Sequence, residues 1–443
     1  MARFITDYRI EDFILKTTWD DIPSDVQEQV LRCSVDLMGA LILGSHGKQH
    51  EAGVRVAKRI GATGDIPVLN RKEKFNLIGA AITFSHAANS FDIDDGYNMI
   101  KGHPGASFIG GILAASLEKN CFYTEYLTTL AVCYETVIRW GLAEQEYYGF
   151  LHSTGTYGAF GTAAGVGRLL GLSREELNNA LSIADYHAPL TPVMRAVEYP
   201  SMNKDGVPFG ALVGTMAVIE TREGETGRTH LLELPEYGEY PDSLGSRWYI
   251  RELYFKPFTC CRWAHQPIRA CIDLIKENKV ALSQIKHVTV NTFDSAVKLS
   301  KAIPHNTDEA QYNIAFPVAA GIVHGDVGFN QINDEAVSDP AVLAMMEQLS
   351  FVVDPAMEKE FPEKRLAWVE MELVDRRVLR SDVYAAPGEH TDPELNFEWI
   401  KSKFRRITAP IINPDGQEEI LKILSTHSEM PMEEIIRVVN KYL

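Results

Sequence analysis

The residues best suited to chemistry gather in one stretch, residues 86–107, HAANSFDIDDGYNMIKGHPGAS. Asp92, Asp94 and Asp95 fall within four positions, Gly96 follows at once, and His103-Pro104-Gly105 lies just beyond. Asp and Gly are poor helix-interior residues, so a helical pattern breaks here into an irregular segment before an apolar helix restarts at Ala106. A carboxylate-rich break between two apolar helices aims polar groups inward, where burial is costly unless they have partners or work. The same residues also fit a solvated loop built on an Asx turn. Mg²⁺ with a diphosphate on Asp92-x-Asp94-Asp95, or the acid of a terpene cyclase, is a further reading. It requires more carboxylates at helical spacing on a facing helix, and the sequence shows no matching set.

Two later segments add complementary groups. Lys204 sits in a polar break, NKDG, directly before a helix rich in Gly and Ala. A lysine there opposes the helix dipole, which makes anion binding beside that N-terminus the expectation and a solvent-facing loop lysine the plain alternative. Residues 254–270, YFKPFTCCRWAHQPIRA, place Lys256, Cys261, Arg262 and His265 within ten positions. One cation beside an aromatic run is usually a snorkelling surface residue; four reactive or cationic groups together form a set.

These groups must be positioned mostly by helices. Ser24-Asp25-Val26-Gln27 reads as a capping box opening an amphipathic helix through Gly44. Residues 71–90 form an Ala-rich helix that leads into the acidic cluster, and residues 124–141 form a third, ended by a glycine. His152-Ser153-Thr154-Gly155-Thr156 precedes YGAFGTAAGVGRLLGL, whose Gly158, Gly161 and Gly165 suit close helix packing. Gly165-Val166-Gly167 lacks the preceding strand and the third-glycine spacing of a dinucleotide loop. Ser173 to Glu176 caps the next helix. Past Asn278 the texture changes: residues 285–293 and 366–374 are β-rich, residues 377–386 suit a hairpin with the latter, and 310–323 and 340–349 are helical. From Asp392-Pro393 the chain turns helical again. The fold class is mostly α: a helical domain, 1–274 and 392–443, with an inserted or appended α+β domain, 275–391.

The chain has 443 residues, 45% of them hydrophobic and 23% charged, the balance of a soluble globular protein. A formal charge of -17 argues against nucleic acid or an anionic membrane surface as the main partner. It leaves room for an anionic substrate, because local cations reverse the field inside a cleft. The N-terminus, MARFITDYRIEDF, lacks the apolar core of a signal peptide, and no later stretch is long and apolar enough to span a bilayer. Six cysteines without CxxC spacing read as reduced thiols of a cytoplasmic protein.

FDIDDGYNMIKGHPGA, LHSTGTYGAFGTAAGVGRLLGL, PSMNKDGVPFGALVG, FKPFTCCRWAH and AQYNIAFPVAAGIVHGD, in this order, resemble the MmgE/PrpD family. Its members include 2-methylcitrate dehydratases, cis-aconitate decarboxylases and iminodisuccinate epimerases. The resemblance implies a helical domain plus an α+β lid, a homodimer, no metal or organic cofactor, and a small di- or tricarboxylate as substrate. It places the site between the domains, at Asp92, His103, His152, Lys204, Lys256, and Cys261 or His265. Three departures stand out: Gly96 where the dehydratases and the decarboxylase carry Thr, Cys261 for the decarboxylase's catalytic His, and Phe316 for a site Tyr. Together they weigh against decarboxylation.

The implied chemistry is removal of a proton next to a carboxylate. It needs cations to spread the developing charge and a base with a pKa near neutrality. Lys204, Lys256, Arg262 and His265 are expected to hold the substrate, with His103 or His152 as base or acid. Asp92 is expected to orient His103 and leave it titrating near neutrality. Cys261, with its pKa lowered by Lys256 or Arg262, is the candidate second group for an epimerase, and an inert buried thiol otherwise. The leading activity on this reading is a hydro-lyase of 2-methylcitrate dehydratase type. Epimerase, decarboxylase and non-catalytic binding protein are the alternatives.

Overall fold

The computed structural model describes residues 8–443, so part of the N-terminal segment read above for an export signal lies outside the described residues. Apolar, small-residue sequences form the centre: helices Leu77–Ala88, Pro104–Lys119, Tyr123–Tyr148, Thr154–Leu169 and Val207–Arg222 pack on one another. Cβ atoms added at Gly161 and Gly165 would lie 2.9 Å from Val137 Cβ and 2.3 Å from Ile112 Cγ2, so both glycines let neighbouring helices close up. Gly165-Val166-Gly167 is thus helix interior. Helix Ser24–Gly44 lies along this bundle and Phe397–Thr408 packs on it, so the chain's end returns to its beginning.

A second hydrophobic core gathers around residues 258–379. Its sheet runs in the order Leu349–Val353, Ile285–Thr292, Leu366–Leu373, Val378–Arg380, with Tyr384–Ala385 also paired to Leu366–Leu373. The first pair is parallel and the others antiparallel. Alternation puts Ala367, Val369, Met371 and Leu373 inward. Helix His265–Asn278 packs on strand Leu366–Leu373 and on helix Ala315–His324, so it contributes to this second core.

Several boundaries differ from the sequence reading. Helix Ser24–Gly44 starts after Pro23 without a side-chain cap; Gln27 instead donates to Trp19 O at 2.8 Å. The 71–90 helix is only Leu77–Ala88, because Lys74–Phe75 pairs as a short strand and Asn76 caps the helix by accepting from Gly79 N. Helix Tyr123–Tyr148 runs through Gly141 and stops at left-handed Gly149. Asp392-Pro393 lies in a turn, and the cap is Asn396, which accepts from Trp399 N. The expected 310–323 helix breaks after Thr307–Gln311 and restarts at Ala315, where Asn313 Oδ1 accepts from Phe316 N. That break frees Gln311 and Tyr312 for the site.

Candidate active site

Helix Leu77–Ala88 unwinds at Asn89, and the segment that follows turns back on itself through Asp92, held at φ 51°. This left-handed backbone is strained for a residue with a Cβ and needs support from its surroundings. Three ammonium groups supply it. Lys204 donates to Asn89 O at 3.2 Å and to Ser90 O, Lys256 to Asp92 O at 3.0 Å, and Lys403 to Ile93 O at 2.6 Å. Lys204 therefore does not stand against the positive start of the helix that follows it. Its ammonium reaches the carbonyl end of helix Leu77–Ala88, where the dipole favours a cation. Gln311 Oε1 at 2.7 Å and Asp308 Oδ1 at 3.2 Å complete its shell.

His103 stands just before the first turn of helix Pro104–Lys119, fixed by Pro104 and by its own N–H, which donates to Thr154 Oγ1. Its ring lies among three carboxylates: Nδ1 is 2.8 Å from Asp94 Oδ2, and Nε2 is 3.3 Å from Asp92 Oδ1 and 3.7 Å from Asp205 Oδ2. The nearest partner is thus Asp94, where the sequence pointed to Asp92. Burial pulls the imidazole pKa down, but Asp94 and Asp92 outweigh both burial and Lys256 and push it up to about 9. His103 is consequently an imidazolium at neutral pH and not the neutral-range titrator expected. Burial raises Asp94 in turn, yet the imidazolium and Lys256 hold it below the usual carboxylate range.

Lys256 Nζ also lies 2.8 Å from Asp92 Oδ1, so one carboxylate bridges the lysine and the histidine. Asp92, His103 and Asp205 present three ligand-type atoms close together, but the Asp92 oxygen nearest His103 already carries the Lys256 ammonium. Asp205 was missed from the sequence, although it adjoins Lys204. It accepts from the Tyr312 hydroxyl, and burial raises its pKa. Asp95 turns the other way, accepting from Gly105 N at 3.0 Å and from the Tyr134 hydroxyl, and burial pushes it up to about 7.

His152 forms a separate dyad, its Nδ1 2.7 Å from Glu144 Oε1 and its ring stacked on Phe150. Its Nε2 is buried with no hydrogen-bond partner. Two residues on, Thr154 is the group that fixes the His103 backbone.

The remaining expected residues differ in what they have to offer. Cys261 is buried beside Lys256 and Asp92, and burial followed by Asp92 pushes its thiol up to about 12. The expected lowering does not occur: Lys256 pulls the thiol down, but burial and then Asp92 outweigh it. His265 donates from Nε2 to Cys260 O at 3.0 Å, and burial with nearby Arg262 and Lys256 keeps it neutral, without a charge for a carboxylate. Arg262 is tied to Ala386 O, Pro387 O and Glu389, and its guanidinium covers the Tyr254 ring at 4.2 Å. Phe316 is fully buried.

A cavity of about 620 Å³ reaches this cluster at Lys204, lined also by His86, Ser153, Arg195, Gly206 and Phe209. A larger hollow, about 740 Å³, lies between residues 182–187 and 220–229 and contains none of these groups.

A helical body and a smaller α+β unit meeting over a buried histidine–carboxylate–lysine cluster define a class of fold and site. The chain belongs to the MmgE/PrpD family: residues 8–245 match the MmgE/PrpD N-terminal domain and residues 258–428 the MmgE/PrpD C-terminal domain. Among its relatives is a cis-aconitate decarboxylase-like protein of Aspergillus oryzae, 23% identical over 95% of this chain and 94% of that protein. A cis-aconitate decarboxylase of Aspergillus terreus is 24% identical over 90% and 89%. A mitochondrial 2-methylcitrate dehydratase of Yarrowia lipolytica is 24% identical over 60% and 55%.

Proposed function

We propose that this chain is a cofactor-independent lyase of 2-methylcitrate dehydratase type, removing a proton next to a carboxylate of a small di- or tricarboxylic acid and expelling water. The observation that carries the reading is His103, kept as an imidazolium by Asp94, Asp92 and Asp205. Expulsion of hydroxide needs such a donor, because hydroxide is a poor leaving group until protonated. The complementary base is His152: Glu144 at Nδ1 favours the tautomer whose Nε2 lone pair is free. Lys256 would hold a substrate carboxylate and the charge that develops as the C–H bond breaks. Family membership and the lyases among the relatives support the reaction class.

Decarboxylation of the cis-aconitate type is the second reading, supported by the relatives that span nearly the whole chain. It would use the same His103 proton to quench the carbanion left by carbon dioxide. Epimerisation has less support, since the thiol of Cys261 is pushed up to about 12. The test is incubation with citrate-like, aconitate-like and aspartate-derived acids in D₂O, followed by NMR. A new alkene signal without carbon dioxide supports dehydration. Carbon dioxide release, or deuterium wash-in with no new compound, refutes it.

A further inference from the structure

Beyond Asp92 the loop turns towards the second core, and its contacts there carry an imbalance of charge. Gly96 and Tyr254 exchange both backbone hydrogen bonds, each N–H donating to the other's C=O at 3.0 Å. This lays the phenol over Gly96, where an added Cβ would fall 2.1 Å from Tyr254 Cζ and 2.2 Å from its hydroxyl. Arg262 covers the other part of the ring. Arg365, only 2% exposed, donates to Asn98 Oδ1, to Asn98 O and to Pro362 O. Asn98 in turn donates to Glu389, the carboxylate that binds Arg262. Two buried guanidiniums therefore share one carboxylate. The Nε–H groups of both Arg262 and Arg365 are buried with no acceptor. The Tyr254 hydroxyl, on a residue 2% exposed, has no hydrogen bond among the described residues.

Buried charges are ordinarily paired and buried donors satisfied, so a surplus cation with three idle donors marks a place for an anion. We propose that Tyr254, Arg262 and Arg365 form a second carboxylate subsite, separate from Lys256, that takes the third carboxylate of a tricarboxylic acid. The subsite rests on the polycarboxylate reading above. A guanidinium gives the planar, two-pronged donor set that a carboxylate matches, and the phenol adds a neutral donor at its edge. Burial pulls the Arg365 pKa below the ordinary arginine range, as for a cation short of counter-charge, and keeps the Tyr254 phenol protonated. Two residues along the chain, Lys256 sits on Asp92, the carboxylate that also faces His103.

The experiment compares tricarballylate with glutarate, which is the same chain without the central carboxylate, by calorimetry on the full-length protein. The wild type is expected to prefer tricarballylate by about tenfold or more, the worth of charge-assisted hydrogen bonds to one carboxylate. Tyr254→Phe and Arg365→Gln should each bring that ratio towards one while glutarate affinity changes little. A merely structural role would lower the melting temperature and weaken both acids alike. Should Arg365→Gln not fold, Tyr254→Phe, which keeps the ring against Gly96, decides between the two roles. A wild type that binds neither acid refutes the polycarboxylate reading and this subsite with it. A wild type that binds both acids equally, or variants that keep its preference, refute the subsite alone.

Discussion

Replacing Asp94 with Asn tests whether His103 works as an acid. Asp94 Oδ2 lies 2.8 Å from His103 Nδ1 with both side chains buried, and its other oxygen accepts from Asn89 Nδ2 at 3.0 Å. An asparagine would keep its oxygen towards Asn89 and turn its NH₂ to His103, asking Nδ1 to accept where it now donates. Removing an opposite charge at this range lowers a pKa by about 1–3, so the imidazole should fall from about 9 to about 6–8. The sign is fixed: a proton donor is lost as pH rises through its pKa. The alkaline limb of kcat/KM should therefore move down from near pH 9 into the neutral range, with an NMR titration of the His103 ring moving in step. At pH 6 the variant should retain most of its rate. An alkaline limb that stays in place in Asp94→Asn would refute the role of His103 as donor.

Lys256→Met leaves Asp92 without its ammonium and should cost about 2–4 kcal/mol of transition-state stabilisation, read as a fall in kcat/KM; wild-type kinetics would remove Lys256 from the site. Gly96→Ala drives a Cβ into the Tyr254 ring and should destabilise by about 1–3 kcal/mol in a denaturant melt. An unchanged midpoint would mean that the ring does not lie there. Asp95, raised from 3.8 to about 7, favours the fold while protonated, a contribution fully present below pH 3.8 and lost as pH rises from there to about 7. Asp95→Asn cannot ionise and should flatten the fall in melting temperature across that range, whereas an identical profile would contradict its burial as an acid. Turnover should survive prolonged dialysis against EDTA, because the Asp92 oxygen beside His103 already carries Lys256; activity lost and then restored by Mg²⁺ or Zn²⁺ would overturn this.

The acidic break was legible because Asp and Gly interrupt an Ala-rich helix at a fixed place, and the structure bends the chain there. The helical bundle was legible from small residues at packing distance, and the sheet from alternation in residues 285–293 and 366–374. Partnership was less legible. Asp94 outranks Asp92 at His103, and Lys204 serves a helix end rather than the helix start beside it, because both depend on where distant segments land. Asp205 and Tyr312 escaped notice for the same reason. An Asp next to a site lysine gives a weak signal, and Tyr312 is exposed to Asp205 only because the helix pattern of 310–323 breaks. Charge states were the least legible of all. The direction taken by Cys261 and by His103 depends on burial and on how many carboxylates stand nearby, neither of which linear spacing records.

The three lysines that grip the carbonyls of residues 89–93 also carry a consequence for how the chain reaches its native state. Their partners lie 114, 115, 164 and 310 positions away along the sequence. Contacts so distant form late, after the intervening loops have lost their entropy, and they slow the search. The strained turn at Asp92 has little to hold it before that moment. A nascent chain lacking helix Phe397–Thr408 has no Lys403 to place on Ile93 O or Asp36, so one of the three cationic supports of the turn is missing until that helix is made. The supports of the Asp92 turn are thus complete only once helix Phe397–Thr408 has been made.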